Sequence, residues 1–284
     1  MTAIQASDLK AATREQWDKS AQGWNDQGAL IRAWLREATD AMLEMAGIAS
    51  GARVLDVAAG AGDQTIDIAR RVGPGGSVLA TDLSPRILQF AHDNARRAGL
   101  NNIETMVTDG EDLDVVEASF DAAICRLGLM LFPDPLRGLR QMFGALKPGG
   151  TACVMVFSEP ARNPCVAILA STALKHAGLP ARDPFQPSGL FSLGKPGLID
   201  DLFNAAGFSR VATTKVAAPF HAPSVQDYLA FARTSAGPIQ QILSQLDDVA
   251  SAAAWVEIAD KLSAFSTAGA WQGPNELLLT AGRR

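Results

Sequence analysis

The chain has 284 residues, 48% of them hydrophobic, with 25 Lys and Arg against 30 Asp and Glu for a formal net charge of −5. That length suits one large domain or one domain with a cap, and supplies ample apolar material for a single buried core. The basic residues are scattered and form no block, which excludes the electrostatic footprint of a nucleic-acid groove.

The opening stretch "MTAIQASDLKAATREQWDKS" mixes charges with polar groups, and no later stretch is long and apolar enough to span a bilayer. Neither a signal peptide nor a transmembrane helix is expected. Residues 8 to 47 read as helical, because Trp24, Leu30, Ile31, Trp34, Leu35, Ala38, Met42 and Met45 recur at three- and four-residue steps. Residues 1–47 are thus an N-terminal arm or pair of helices.

From Gly51 onward short apolar runs alternate with helical segments: "ARVLDVA", "SVLATDL", "IETMVTD", "FDAAICRL" and "TACVMVFS". Such runs, separated by helices, predict an α/β fold with a doubly wound, mostly parallel sheet, its core spanning residues 48–159. Ser84-Pro85 and Asp134-Pro135 each offer a helix cap followed by a first helical position, and "LKPGG" at 146–150 turns the chain into a strand from Thr151. Cys125, Cys153 and Cys165 are an odd number without C-x-x-C spacing. They read as reduced, buried thiols of a cytoplasmic protein, with no metal site.

A Pro-rich stretch after Phe157 holds one helix, from about Asn163 to Lys175, and reads as an insertion over the sheet. A helix from Pro196 to Ala206, strand-like "FSRVATTKVAAPF", an Ala-rich helical region at 224–270 and a last strand "NELLLTAGR" complete the chain. Tyr228, Phe231, Trp255 and Phe265 in the Ala-rich region are candidates for packing or for a pocket wall. The whole reads as one domain over 1–284, with cap insertions at 160–195 and 222–270 and with 196–221 and 271–284 completing the sheet.

The informative motif is "VLDVAAGAGDQTIDIA", residues 54–69. Gly60 and Gly62 let backbone approach a ligand at the start of a helix, yet Asp56 precedes the loop and Asp63 follows it. Acids on both sides do not suit a pyrophosphate. Thr65 also stands where a nicotinamide site wants its third glycine, and no Gly-Lys-Ser/Thr follows for a P-loop. A phosphate-free, cationic nucleoside such as S-adenosyl-L-methionine makes those acids favourable. Asp82, about twenty residues past the loop, matches the position of a ribose-binding acid. Asp109, in "TDGEDL", ends a third strand and can accept from an adenine amino group.

Taken together, "VLDVAAGAGD", "LATDLSPRIL", "TDGEDL" and "FDAAICRLGLMLFPDPLRGLRQMFGALKPGG" resemble the class I S-adenosylmethionine-dependent methyltransferases, in particular the UbiE-like ubiquinone/menaquinone C-methyltransferase group. The resemblance runs over residues 50–157. It implies a Rossmann-like, seven-stranded sheet with an antiparallel last strand, S-adenosyl-L-methionine as cofactor and S-adenosyl-L-homocysteine as product. The loop Ala58 to Gly62 then holds the methionine end, with Asp56 bracing the loop and the amino group and Asp63 beside it as a further cofactor-binding acid; Asp82 meets the ribose, Asp109, Gly110 and Glu111 lie at the adenine, and Leu83 packs on its ring. The family pattern has glycine where Ala58 stands. Trp17 and Trp24 resemble an N-terminal gate over the cofactor, and anchoring helices in the core is their other reading.

Methyl transfer by in-line displacement needs alignment more than a catalytic side chain. His176 and His221 are the candidate bases. Arg126, at the end of the fourth strand, either caps and bridges or faces the cofactor and an anionic or carbonyl-bearing acceptor. The expected partner is a small, fairly hydrophobic acceptor, and the features leave room for a homodimer. An NAD(P)-dependent oxidoreductase and a non-catalytic cofactor-binding scaffold are the rival readings.

Overall fold

The computed structural model describes residues 3–181 and 183–284 of the chain, with side chains described from residue 8 onward. Two arm helices, α1 (Ala3–Asp26) and α2 (Gly28–Met45), precede β1 (Arg53–Val57), α3 (Asp63–Val72), β2 (Ser77–Asp82), α4 (Pro85–Arg97), β3 (Ile103–Val107), β4 (Phe120–Arg126) and α5 (Pro135–Ala145). There follow β5 (Leu146–Phe157), α6 (Pro164–His176), α7 (Leu198–Ala206), β6 (Ser209–Ala217), β7 (Phe220–Ala222), α8 (Val225–Ser235), α9 (Gly237–Leu243), α10 (Asp248–Leu262), β8 (Ser266–Thr267), β9 (Ala270–Gly273) and β10 (Glu276–Arg283).

The caps act as their residue types require: Ser84 Oγ accepts from the Ile87 N–H at 3.1 Å and Asp134 Oδ1 from the Arg137 N–H at 3.0 Å. Residues from Ala122 in β4, from Ala152 in β5 and from Leu277 in β10 form an unbroken buried band that ends one residue from each strand's end or later. Such strands are covered on both faces by helices.

The large sheet has the order β3-β2-β1-β4-β5-β10-β6. β1 pairs in parallel with β2 and β4, whereas β10 is antiparallel to both of its neighbours, β5 and β6. This is a Rossmann-like α/β sheet with one antiparallel strand. Its winding reverses between β1 and β4, and open sheets of this kind hold ligands beyond the carboxyl ends of the strands at such a reversal.

Three local expectations shift. β5 begins at Leu146, and the Lys-Pro-Gly-Gly turn is absorbed as an irregularity between Phe120 and Ala122 of the partner strand's register. The run expected as one strand through Phe220 divides at Pro219, which has no N–H for a ladder, and β7 leaves to pair with β9. The end of the Ala-rich region, expected to be helical, folds as the β8–β9 hairpin, turning at Gly269 with φ of 85°. β7, β9 and β8 make a separate three-stranded sheet.

The arm binds the core through two different faces. Ile31, Leu35, Ala38 and Met42 of α2 are buried, as the three-and-four spacing predicts. α1 lies against α4, α8 and α9, and at Gly23 it approaches so closely that any side chain would run into the Thr234 carbonyl.

Gly62 sits at φ of 82°, and a Cβ there would lie 2.8 Å from the Ala91 Cβ. Gly62→Ala is therefore expected to cost about 2 kcal/mol in urea unfolding. Adding Ala91→Gly should recover only the steric part of that loss, because the backbone strain remains.

Candidate functional site

The loop after β1 is held in a left-handed path: Ala58, Gly60 and Gly62 have φ of 55°, 58° and 82°. Ala58 carries a Cβ in a conformation that favours glycine, a strain of order 1 kcal/mol that the surrounding contacts must offset. Those contacts begin with Asp56, which is completely buried. Its Oδ2 accepts from Thr65 Oγ1 at 2.5 Å and its Oδ1 from Gln64 Nε2 at 3.2 Å. Burial nevertheless pushes its carboxyl up to about 7.

Asp82, at the end of β2, reaches back to the same loop. Its Oδ2 accepts from the Gly60 N–H at 3.0 Å and its Oδ1 from the Ser84 N–H at 2.9 Å. Burial raises this carboxyl to about 6, against the pull of those backbone donors. The Ala59 N–H donates to the Thr81 carbonyl at 2.9 Å, completing the tie between the β1 and β2 ends.

Asp63 turns away from the loop. It meets Arg126 in an ion pair of 2.5 Å between side chains only 11% and 4% exposed. Arg126 Nη1 also donates to Thr39 Oγ1 at 3.1 Å, so the pair joins α3, β4 and α2.

A cavity opens at the carboxyl edge over β1, β2 and β4. Among its lining residues are Ala58, Gly60, Gln64, Asp82, Leu83, Asp109, Gly110, Glu111 and Arg126. From the arm come Lys10, Thr13, Trp17 and Trp24, and from the region after β4 come Leu127, Gly128, Leu131 and Phe132. Gln64 Oε1 is buried with no hydrogen-bond partner. Lys10 Nζ bridges Asp109 at 2.6 Å and Glu111 at 2.5 Å. Burial opposes the charge of Lys10, but the hydrogen bonds to the two carboxylates outweigh it and hold the ammonium above its ordinary pKa.

A second chamber, about 100 Å³ in volume, adjoins the first. Trp17, Trp24, Leu127 and Leu131 line both, and the two indoles stand edge to face at 5.6 Å. Its other walls include Trp34, Phe157, Leu169, Leu190, Phe220, Tyr228, Phe231 and Asn275. Among the described residues, no charged side chain lines it.

The sequence-predicted residues therefore divide. Ala58, Gly60, Asp82, Leu83, Asp109, Gly110, Glu111 and Arg126 converge on the cavity. Asp56, Gly62 and Asp63 do not line it: two are buried carboxylates bonded within the protein, and Gly62 packs on Ala91. His176 lines neither chamber, because at the end of α6 it pairs with Glu257 at 2.8 Å. His221 lies on the exposed side of β7. Trp255 and Phe265 stay outside as well, Trp255 beneath the Arg233 guanidinium at 4.4 Å and Phe265 edge-on to Trp271.

Lys10, Gln64 and Gly128 were missed. Gln64 stands inside the glycine motif and Gly128 just past a strand end, which were usable signals; Lys10 had none, because only the fold brings it to Asp109. Among the described residues, no cluster of His, Cys, Asp and Glu is arranged to hold a metal, and no helix is long and apolar enough to cross a membrane.

This arrangement defines a Rossmann-like α/β protein with an acid-lined cavity at the carboxyl edge of its sheet and an apolar chamber beside it. A family model described as the ubiE/COQ5 methyltransferase family matches residues 30–171, and the chain belongs to that family. The "Ubiquinone/menaquinone biosynthesis C-methyltransferase UbiE" of Pasteurella multocida is 35% identical over 134 residues, 47% of this chain and 48% of that protein. The protein of the same description from Pseudomonas aeruginosa is 34% identical over 137 residues, 48% of this chain and 52% of its own length. The chain thus spans about half the length of the curated relatives it matches. In fold it is similar to the YcgJ protein of Bacillus subtilis, with TM-score 0.58 and 18% identity over 88% of this chain and 98% of that one. It is also similar to the [4+2]-cyclase SpnF, with TM-score 0.56 and 20% identity over 94% and 96% of the two chains.

Arg126→Met leaves the Asp63 carboxylate buried without its partner and should destabilise the protein by about 3 kcal/mol in urea unfolding. Adding Asp63→Asn removes the stranded charge, so the double variant should be more stable than Arg126→Met alone.

Proposed function

We propose that the protein transfers a methyl group from S-adenosyl-L-methionine to a small, uncharged and largely apolar acceptor. One observation carries this reading: a cavity at the carboxyl edge, lined by Asp82 at the end of β2 and by Asp109 and Glu111, shares a wall with an aromatic chamber that no charged side chain lines among the described residues. Membership of the ubiE/COQ5 methyltransferase family supports it.

The residues fit the cofactor end to end. Gln64 Oε1, buried and without a partner, meets a cationic amino group together with the Ala58 backbone. The Asp82 carboxylate spends one lone pair of each oxygen on backbone N–H groups and keeps the others for ribose hydroxyls. Leu83 and Phe132 offer apolar faces to a base, and Gly110 keeps that slot open because a side chain there would run into the Phe132 ring. Asp56 and Asp63 act through the backbone they hold.

Bound there, the cofactor supplies a methyl group already activated on a sulfonium for in-line displacement and leaves as S-adenosyl-L-homocysteine. The protein's part is to align the acceptor and keep water away, which the Trp17, Trp24, Leu127 and Leu131 partition does by lining both chambers. No histidine lines the chambers, so the acceptor brings its own nucleophilicity. The charge of Arg126 is taken by Asp63, which favours its bridging role over one in binding an anionic acceptor.

A nicotinamide enzyme is disfavoured at Thr65, where glycine would deprive the buried Asp56 of its hydroxyl donor. A cytoplasmic location accords with three free cysteines, all buried, whose thiols burial pushes up to about 12.

Asp82→Ala should weaken S-adenosylhomocysteine binding at least about tenfold by titration calorimetry. Because Asp82 binds its proton up to about pH 6, and ribose hydroxyls need the ionised form, affinity should rise from pH 5 to pH 7, and Asp82→Asn should flatten the rise. Stability runs the opposite way: the share of Asp82 is complete below its ordinary value of 3.8 and is lost as pH climbs through about 6. Thermal stabilisation by NADH and not by S-adenosylhomocysteine would overturn the reading. Cofactor binding without transfer to any of a panel of phenols, quinones and amines would favour a scaffold.

A further inference from the structure

α1 lies lengthwise along the carboxyl-edge cavity. Lys10, Thr13, Trp17 and Trp24 share one face of the helix and line the cavity from its Asp109 end to its Gly60 end, about 21 Å of helix at about 1.5 Å per residue. The two ends of α1 are held differently. At the Trp24 end, Ser20 and Ala21 are buried, Gly23 is pressed against the Thr234 carbonyl, and Asn25 Oδ1 accepts from Asn94 Nδ2 at 2.9 Å. Asp18 extends this seat by accepting from Ser84 Oγ. Residues 8–17, in contrast, are half-buried or exposed throughout.

What ties that outer stretch to the far end of the cavity is Lys10, whose Nζ lies 2.6 Å from Asp109 and 2.5 Å from Glu111. Both carboxylates are fixed without it: Asp109 Oδ1 accepts from the Glu111 N–H at 2.9 Å, and Glu111 Oε1 from the Asp134 N–H at 2.6 Å. The catch therefore belongs to the core, and the arm carries only the bolt. A groove of about 870 Å³ lies on the other side of the same turns, bounded by Leu9, Ala12 and Gln16 of α1 and by side chains of α6 and α9. The outer turns thus have space to swing into, which the seated end lacks.

We infer that Lys10 is the latch of a hinged lid: the outer turns of α1 open about its seated end, and ligand passes the Asp109 end of the cavity only while both ion pairs are broken. Trp24 sits at the seated end, so it walls the cavity in either state. Lids of this kind set the rate at which a bound ligand is exchanged. Opening strips the shielded Glu111 carboxylate, 4% exposed, of its cation, which biases the lid toward closing. Lys10 and Asp109 are 21% and 30% exposed, so ions reach that arm of the latch. Against the cost of burial, the two carboxylates hold the ammonium above its ordinary pKa, and at neutral pH the latch yields to salt instead of to protons.

Two measurements on the full chain test this, and only the second rests on the cavity being the cofactor site. Hydrogen exchange followed by mass spectrometry should show residues 8–17 protected in about 0.1 M salt and less protected in about 1 M, where the Debye length falls to about 3 Å. Lys10→Met keeps side-chain length and helix propensity, yet should speed exchange of that stretch about fivefold in low salt and abolish the salt response, with β1 and β4 unaffected. Lys10→Arg should restore protection. In stopped-flow binding of S-adenosylhomocysteine, Lys10→Met should raise the association and dissociation rates together, so that Kd moves less than either. Exchange indifferent to salt and to Lys10→Met would overturn the latch. So would a loss of affinity carried by dissociation alone, the mark of a lysine that contacts the ligand itself. A wild type that fails to bind S-adenosylhomocysteine while its exchange still depends on salt and Lys10 would remove the cofactor reading and leave the latch standing.

Discussion

Everything at the carboxyl edge depends on a five-residue loop being kept in a backbone path that it would not hold alone. Ala58, Gly60 and Gly62 take left-handed conformations in succession. What fixes them is a set of carboxylates withdrawn from water: Asp56 beneath the loop, gripped by Thr65 and Gln64, and Asp82 beside it, gripping the Gly60 N–H. Burying a carboxylate is costly unless its oxygens are occupied. The protein turns that requirement into geometry, since the donors that satisfy Asp56 come from the first turn of α3 and the loop cannot move without abandoning them.

The same economy explains Arg126. A buried guanidinium needs a partner, and Asp63 supplies it across the start of α3, while Thr39 adds a tie to the arm. The result is a rigid floor with its charges internally matched. The cavity above it presents selected acceptors, Gln64 Oε1 among them, and among the described residues its carboxylates Asp82, Asp109 and Glu111 outnumber the one cation, Lys10, that is left once Arg126 is paired. An apolar chamber can then lie next door without either compartment flooding the other.

Much of the frame was legible. Apolar runs and capped helices located β1 to β5 and α3 to α5, because each feature is local: Ser84 and Asp134 cap helices wherever they stand before proline. The placement of Gly60, Asp82 and Asp109 was legible for a related reason, since strand ends in a parallel sheet share one edge. The roles of Asp56 and Asp63 were less so. An acid beside a glycine loop looks the same in sequence whether it faces ligand or protein, and burial decides between them. Lys10 and the chamber wall lay beyond reach, because residues from α1, α2, α6 and α8 meet only after long-range packing. The β8–β9 hairpin was hidden by its alanines, which favour helix until Gly269 and Trp271 are seen paired with β7.

The close approach at Gly23 has a consequence for how this molecule changes over time. α1 forms the roof of the carboxyl-edge cavity and part of the partition, yet it rests on α8, whose Thr234 backbone occupies the space where a side chain on Gly23 would go. α8 in turn carries Tyr228 and Phe231 into the second chamber. Roof and chamber wall are therefore one mechanical unit assembled from distant parts of the chain. A substitution that reshapes α8 has to be matched by compensating drift in the arm, whereas the central strands can stay as they are. Chimaeras that exchange the arm without the 225–243 segment would join surfaces shaped for different partners.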